Sequence, residues 1–250
     1  MIALGLALLA GCVDQIAEHR IRGNAHARRG DHRAALREYE SGLRLRPNDA
    51  AILILKGNSL FELGRLAQAE STYRKALREA PDSGDAILGL ALLEVRRGRR
   101  PEAIRLFERL LLQNPNDSGT LLNLGRLYLA TGDMARARER LERAVQLQPD
   151  DPATLYNLGT LELRASRLDQ AAARFAAVDR IAPDRAYGPY GLAMVAAKRG
   201  DEPAALRELR RAISRGLDDP AAVRRDEAFA TLRASPEFQS LWPAEPRVRE

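Results

Sequence analysis

The sequence repeats itself every 34 residues. Prolines fall at Pro47, Pro81, Pro115, Pro149 and Pro183, and alanines at Ala35, Ala69, Ala103, Ala137, Ala171 and Ala205. Small residues recur at Gly23, Gly57, Ala91, Gly125, Gly159 and Ala193. Turn formers recur at Gly30, Gly64, Gly98, Gly132, Ser166 and Gly200, and large side chains at Tyr39, Tyr73, Phe107, Leu141, Phe175 and Leu209. Six stretches, 16–49, 50–83, 84–117, 118–151, 152–185 and 186–219, follow one another without insertion or deletion. A period of this length marks a chain that grows by stacking short supersecondary pieces, so no single core limits its size. The composition says the pieces are helical: 45 % of the residues are hydrophobic and 5 % aromatic, and Ala, Leu, Arg and Glu outnumber the β-branched residues.

Each column has a physical reason. In the fourth repeat Leu121, Leu124 and Tyr128 share one face of a first helix. Gly125 leaves room for a second helix to approach, Ala137 supplies a small facing surface, and Leu141 and Ala144 extend the seam. Gly132 ends the first helix in a left-handed turn. Pro149 stops the second helix, while Pro101 and Pro203 open second helices, where a missing N–H is tolerated.

This column set resembles the tetratricopeptide repeat family. The resemblance implies an all-α fold, an α-solenoid of six helix-turn-helix repeats. It makes Gly23, Gly57, Gly125 and Gly159, with Ala35, Ala69, Ala103, Ala137, Ala171 and Ala205, the structural positions. It also implies a groove lined by the first helices that holds another protein's extended or helical segment. Carried over residue by residue, the groove is expected at Ile54, Leu88, Leu122, Tyr156 and Tyr190 in one column and at Asn58, Leu92, Arg126 and Thr160 in a second. Asn123 and Asn157 fall where family members hydrogen-bond a ligand backbone. Arg96, Arg126, Arg164 and Lys198 flank the strip, which suits an apolar segment with acidic flanks. The carboxylate clamp of some members is not matched, because Leu55, Asp85 and Gly89 replace its later residues.

The sixth repeat departs from the pattern, with Leu217 in the proline column and Pro189 in its first helix, where it should disturb or delay that helix. Residues 220–242 read as a helical cap over the open end, from Asp219-Pro220 through Phe229 and Phe238 to Trp242. Residues 243–250 are expected to be a frayed tail.

The amino terminus carries an apolar run, residues 2–11, that is too short to cross a bilayer and fits a signal-peptide core. It ends in Leu9-Ala10-Gly11-Cys12, on the one cysteine of the chain. This resembles the lipobox of bacterial lipoproteins, which implies a signal peptide over 1–11, a lipidated Cys12 and a short tether over 12–15. No basic residue precedes the run, which departs from the pattern, and the true start can lie upstream. Val13 after the cysteine leans toward the outer membrane. The combination resembles the pilotin lipoproteins of type IV pili in architecture.

The net charge is +6, almost all of it arginine, but acidic residues interleave with it, as on a solvated helix face, and no nucleic-acid motif is present. The histidines His19, His26 and His32 lack metal-ligand spacing, and no nucleophile, phosphate-loop or dinucleotide motif occurs. The expectation is a non-enzymatic adaptor: no catalytic residues, no metal, no cofactor, no small-molecule substrate, no nucleic acid. Its partners would be another protein and, through Cys12, a bacterial envelope membrane. The alternatives are a soluble cytoplasmic scaffold or co-chaperone with a misassigned start, and the non-catalytic subunit of an enzyme.

Overall fold

A computed structural model describes residues 2–242, with side chains from Gln15 onward. Cys12 and the tail 243–250 therefore lie outside the described side chains. Every regular element among the described residues is a helix. The helices form six antiparallel hairpins in two compact bodies of three. The first body pairs α1 (Ile2–Arg28) with α2 (His32–Leu45), α3 (Ala50–Glu62) with α4 (Leu66–Glu79) and α5 (Gly84–Arg96) with α6 (Arg100–Gln113). The second pairs α7 (Ser118–Thr131) with α8 (Met134–Leu147), α9 (Pro152–Arg164) with α10 (Leu168–Ile181) and α11 (Tyr187–Arg199) with α12 (Glu202–Ser214). It ends in a cap made of α13 (Pro220–Arg225), a 3-10 turn (Glu227–Leu232) and α14 (Pro236–Ser240). Helix α1 runs without a break through residues 12–15. None of the helices among the described residues is long and apolar enough to cross a membrane.

The hairpin turn is the same device six times. The residue just before each second helix donates its N–H back across the turn, as in Asp31 to His26, Arg65 to Leu60, Asp133 to Tyr128 and Arg167 to Glu162, at 2.9–3.0 Å. The residue preceding that donor must be left-handed, and Gly30, Gly64, Gly98, Gly132 and Gly200 have φ between 72° and 83°. Ser166 takes the same slot at φ 57°, the one positive-φ residue with a side chain among those described. Four first helices begin on a side-chain cap: Asp49, Ser83, Asp117 and Asp151 accept from the N–H three residues on. That column stops at the fifth repeat. The sixth first helix has Ala186 at its N-cap with no side-chain bond, and it starts one column later than its equivalents. Pro189 thus delays the helix by one residue and sits in its first turn, where no intrahelical N–H is needed.

The alanine column is fully buried in all six repeats. The glycine column is where the second helix comes closest: over Gly125 the nearest atoms are those of Leu141, whose Cγ lies 2.5 Å from where a Cβ would be. Tyr73 stands likewise over Gly57 and Phe175 over Gly159. The same two rings also press on the next hairpin, at Gly89 and Gly191, so each large residue is held between two helices that carry no side chain there. Gly89 and Gly191 share their column with Ile21, Leu55, Asn123 and Asn157, so this second close approach is made in two repeats and is not a feature of the whole column.

Much of the arginine is structural. Lys75 Nζ and an Arg109 Nη donate to the carbonyls of Pro47 and Pro81 at 2.7 and 2.6 Å, closing the linking turns onto second helices. Glu162, nearly sealed from solvent, is held by Arg138 of the preceding hairpin at 2.7 Å and by Arg167 at 3.2 Å. Glu70 pairs with Arg97 of the next hairpin in the same way. The Arg138–Glu162 and Arg97–Glu70 pairs join hairpins, alongside pairs within one helix of the kind the sequence pattern suggested, such as Arg138–Glu142 at 3.3 Å.

Candidate functional site

First helices bring the groove columns to one face in each body, because a residue and its equivalents 34 positions on occupy the same place on successive parallel helices. In the first body Ile54, Asn58, Leu88 and Leu92 line a cavity of about 430 Å³ with Phe61 and Glu62. The four expected residues are thus brought together. Asn58 is not wholly available, however. Tyr73 Oη donates to its Oδ1 at 2.7 Å, and Tyr39 does the same to Asn24. Asparagine occurs in that column only in the two repeats whose large residue is tyrosine, so it partners the buried phenol. Burial pushes the Tyr73 hydroxyl well above the usual tyrosine range, which keeps it a donor.

In the second body α7, α9 and α11 enclose a cavity of about 840 Å³. Arg126, Tyr156, Asn157 and Thr160 line it, together with Leu129, Leu163 and Met194 of the neighbouring columns. Leu122, Asn123 and Tyr190 do not. Tyr190 is taken by the cap: its hydroxyl donates to Asp226 Oδ2 at 2.7 Å and its ring meets Phe229 with centroids 5.7 Å apart. Burial first, then that bond to a carboxylate, raise its pKa. Asp226, Glu227 and Ala228 of the cap form one wall of the cavity, which sequence reasoning missed because the tail lies outside the repeat register.

The flanking cations divide. Arg164 donates to the Leu129 carbonyl at 2.7 Å and Arg96 to the Phe61 carbonyl at 2.8 Å, with its guanidinium 5.0 Å from the Phe61 ring centroid. Both cap the end of the preceding first helix, adding a second donor to a carbonyl that already accepts from the turn glycine, Gly132 at Leu129 and Gly64 at Phe61. Arg96 is thereby engaged by the fold, while Arg164, with Lys198, also lines the second-body cavity. Arg126 is exposed, lines the second-body cavity and has no hydrogen bond or ion pair among the described residues. Asn157 donates to the Ala153 carbonyl of its own helix at 2.7 Å. Tyr156 packs on Phe175 and Tyr187, with centroids 5.4 and 5.8 Å apart.

Among the described residues no group of three or more His, Cys, Asp or Glu is placed to hold a metal. His19 Nδ1 lies 2.8 Å from Glu38, and His26 lies 3.9 Å from Asp31.

Paired helices that present ligand-sized grooves define a protein–protein interaction scaffold. Tetratricopeptide repeat models match residues 22–84, 60–119, 94–160 and 190–211, and the chain belongs to that family. No match was found among curated proteins. Among solved structures, the chain is similar to a tetratricopeptide repeat protein from Parabacteroides merdae, at 17 % identity over 91 % of this chain and 92 % of that one, with a TM-score of 0.74. It is similar to PilW, described as a widely conserved type IV pilus biogenesis factor, at 20 % identity over 90 % and 97 %, with a TM-score of 0.71. It is also similar to YrrB, described as having an unusual peptide-binding site, at 25 % identity over 74 % and 95 %, with a TM-score of 0.58.

Proposed function

We propose that the chain is a non-enzymatic, lipid-anchored adaptor that holds a partner's peptide segment during assembly of a bacterial envelope complex. The observation that carries the binding half is the second-body cavity. It has apolar walls from Leu129, Leu163 and Met194, an aromatic face at Tyr156 and an uncommitted guanidinium at Arg126. Such a surface suits an apolar segment that brings a carboxylate to the Arg126 side, away from the acidic cap wall of Asp226 and Glu227. The envelope half rests on Leu9-Ala10-Gly11-Cys12 at the end of the apolar run. The likeness to PilW is a likeness of fold, and a pilus role is carried over only as a reading in keeping with that motif.

Two experiments test the halves separately. Arg126→Ala should reduce recovery of cross-linked envelope partners about tenfold while the helical signal and melting temperature of the array hold. Undiminished recovery overturns the groove. Growth with a fatty-acid analogue should label the chain, and Cys12→Ser should abolish the label. Label that survives the substitution, or none on the parent, overturns the anchor and returns the chain to a soluble scaffold.

A further inference from the structure

The positive charge is not spread evenly. The first repeat, 16–49, holds eight arginines against five acidic residues. All five acids are committed. Glu18 pairs with Arg22, Glu38 with His19 and Glu40 with Lys56, while Asp31 and Asp49 cap α2 and α3. The outer face of α2 is left as a stripe of Arg33, Arg37, Glu40 and Arg44, one above the next at helical spacing. Lys56 neutralises the one acid in it, at 3.0 Å. Arg33 and Arg37 are exposed with no hydrogen bond or ion pair from their guanidinium groups among the described residues, and Arg44 reaches only the Ser41 hydroxyl. The same four columns read Ala135, Glu139, Glu142 and Gln146 on α8, so the stripe is not a demand of the repeat.

We infer that this face of the first hairpin docks on an anionic phospholipid surface. The hairpin is the one that continues into the apolar run, since α1 is a single helix from Ile2 to Arg28. A cluster of basic residues beside a membrane-directed segment is drawn to acidic headgroups, by about fivefold in affinity per residue. The hairpin's one Phe, Tyr or Trp side chain, Tyr39, is buried, so it offers no large aromatic platform for nucleic-acid bases. The surface is distinct from the peptide grooves. It shares with the anchor reading only the premise that the amino-terminal end faces the bilayer.

The test uses the full chain bearing Cys12→Ser, so that no lipid is attached. It is sedimented with vesicles of phosphatidylcholine, alone or doped with phosphatidylglycerol. The ratio of binding to the two vesicles removes any contribution of the apolar run, which is the same in both. The parent should prefer anionic vesicles, and the preference should fade at high salt. Arg33→Ala, Arg37→Ala and Arg44→Ala together should reduce the preference at least tenfold. The loss of helix content that would signal misfolding is not expected from exposed alanines. Glu139→Ala with Glu142→Ala on α8 should leave it unchanged. Equal binding to both vesicles, or a triple variant that keeps the parent's preference, overturns the inference. So does tighter, aromatic-independent binding to an RNA oligonucleotide that outcompetes the vesicles. An anionic preference that depends on the stripe, in a chain whose Cys12 takes no label, upholds this inference while the anchor reading fails. A labelled Cys12 with no stripe dependence does the reverse.

Discussion

At the scale of single residues, the pairing of Asn58 with Tyr73 shows how a position can belong to the fold and to a groove at once. Tyr73 is wedged between Gly57 and Gly89, and its hydroxyl needs an acceptor because water cannot reach it. Tyr73→Phe should cost about 1–2 kcal/mol by leaving Asn58 short of its donor. Adding Asn58→Leu, the combination that Leu92 and Phe107 already make in the third repeat, should return most of it. A urea-denaturation double-mutant cycle measures this, and simple additivity would break the account. The buried alanines and left-handed glycines were legible in the sequence because backbone geometry admits few other residues there. Asn58 was read as facing a ligand because its partner lies on the other helix of the hairpin, 15 residues on. The signal was present as a match between two columns. The fates of Arg96 and Arg164 were not legible, because an exposed guanidinium next to a groove looks the same in sequence whether it meets a ligand or a carbonyl.

At the scale of elements, consecutive hairpins are cross-linked by carboxylates that must stay ionised. Glu70 is held below the usual 4.5, first by the hydrogen bond from Arg97, which with the charges of Arg74, Arg97 and Arg99 outweighs the upward pull of burial. For Asp179 burial pulls upward, but the guanidinium groups of Arg215 and Arg211 outweigh it and the net shift is below 3.8. A depressed carboxyl pKa stabilises the fold above the unfolded value and is lost as pH falls through the folded one. The melting temperature should therefore be level from neutrality down to about pH 5 and drop below about 4.5. Glu70→Gln should start lower at neutral pH and lose less on acidification. A parallel fall in parent and variant would remove Glu70 from the cause. The first-helix starts tell the same story of local chemistry: four rest on Asp or Ser caps, and the sixth first helix, lacking one and carrying Pro189, begins a residue late.

At the scale of the whole molecule, the tail is more than an end plate. Val223, Phe229, Leu232 and Phe238 are buried with Ala193, Met194, Val195 and Leu209 in one cluster, so the cap completes the core of the last hairpin. Phe229→Ala should cost about 3–5 kcal/mol. Because Asp226 and Glu227 wall the cavity, the same change should also alter partner capture. A variant that unfolds no earlier than the parent in urea would show that the cap is dispensable to the core. The cap's existence was legible from its aromatic spacing and its Asp219-Pro220 opening, but its contact with the groove was not. Beyond residue 219 no column tells which side of the last helix the chain will take.

The hairpin turns carry a consequence for how such a chain changes length. Six second helices begin at residues 32, 66, 100, 134, 168 and 202, each one residue after the donor of its turn-closing bond. A deletion that removes residues 50–83 joins Asp49 to Gly84, an acidic cap to the first turn of an equivalent helix, and leaves every remaining turn in register. Misaligned recombination between any two repeats of the gene would have the same outcome. Lineages of this scaffold can therefore gain or shed whole grooves in one step, while a slip of a single residue would turn the alanine column out of the core.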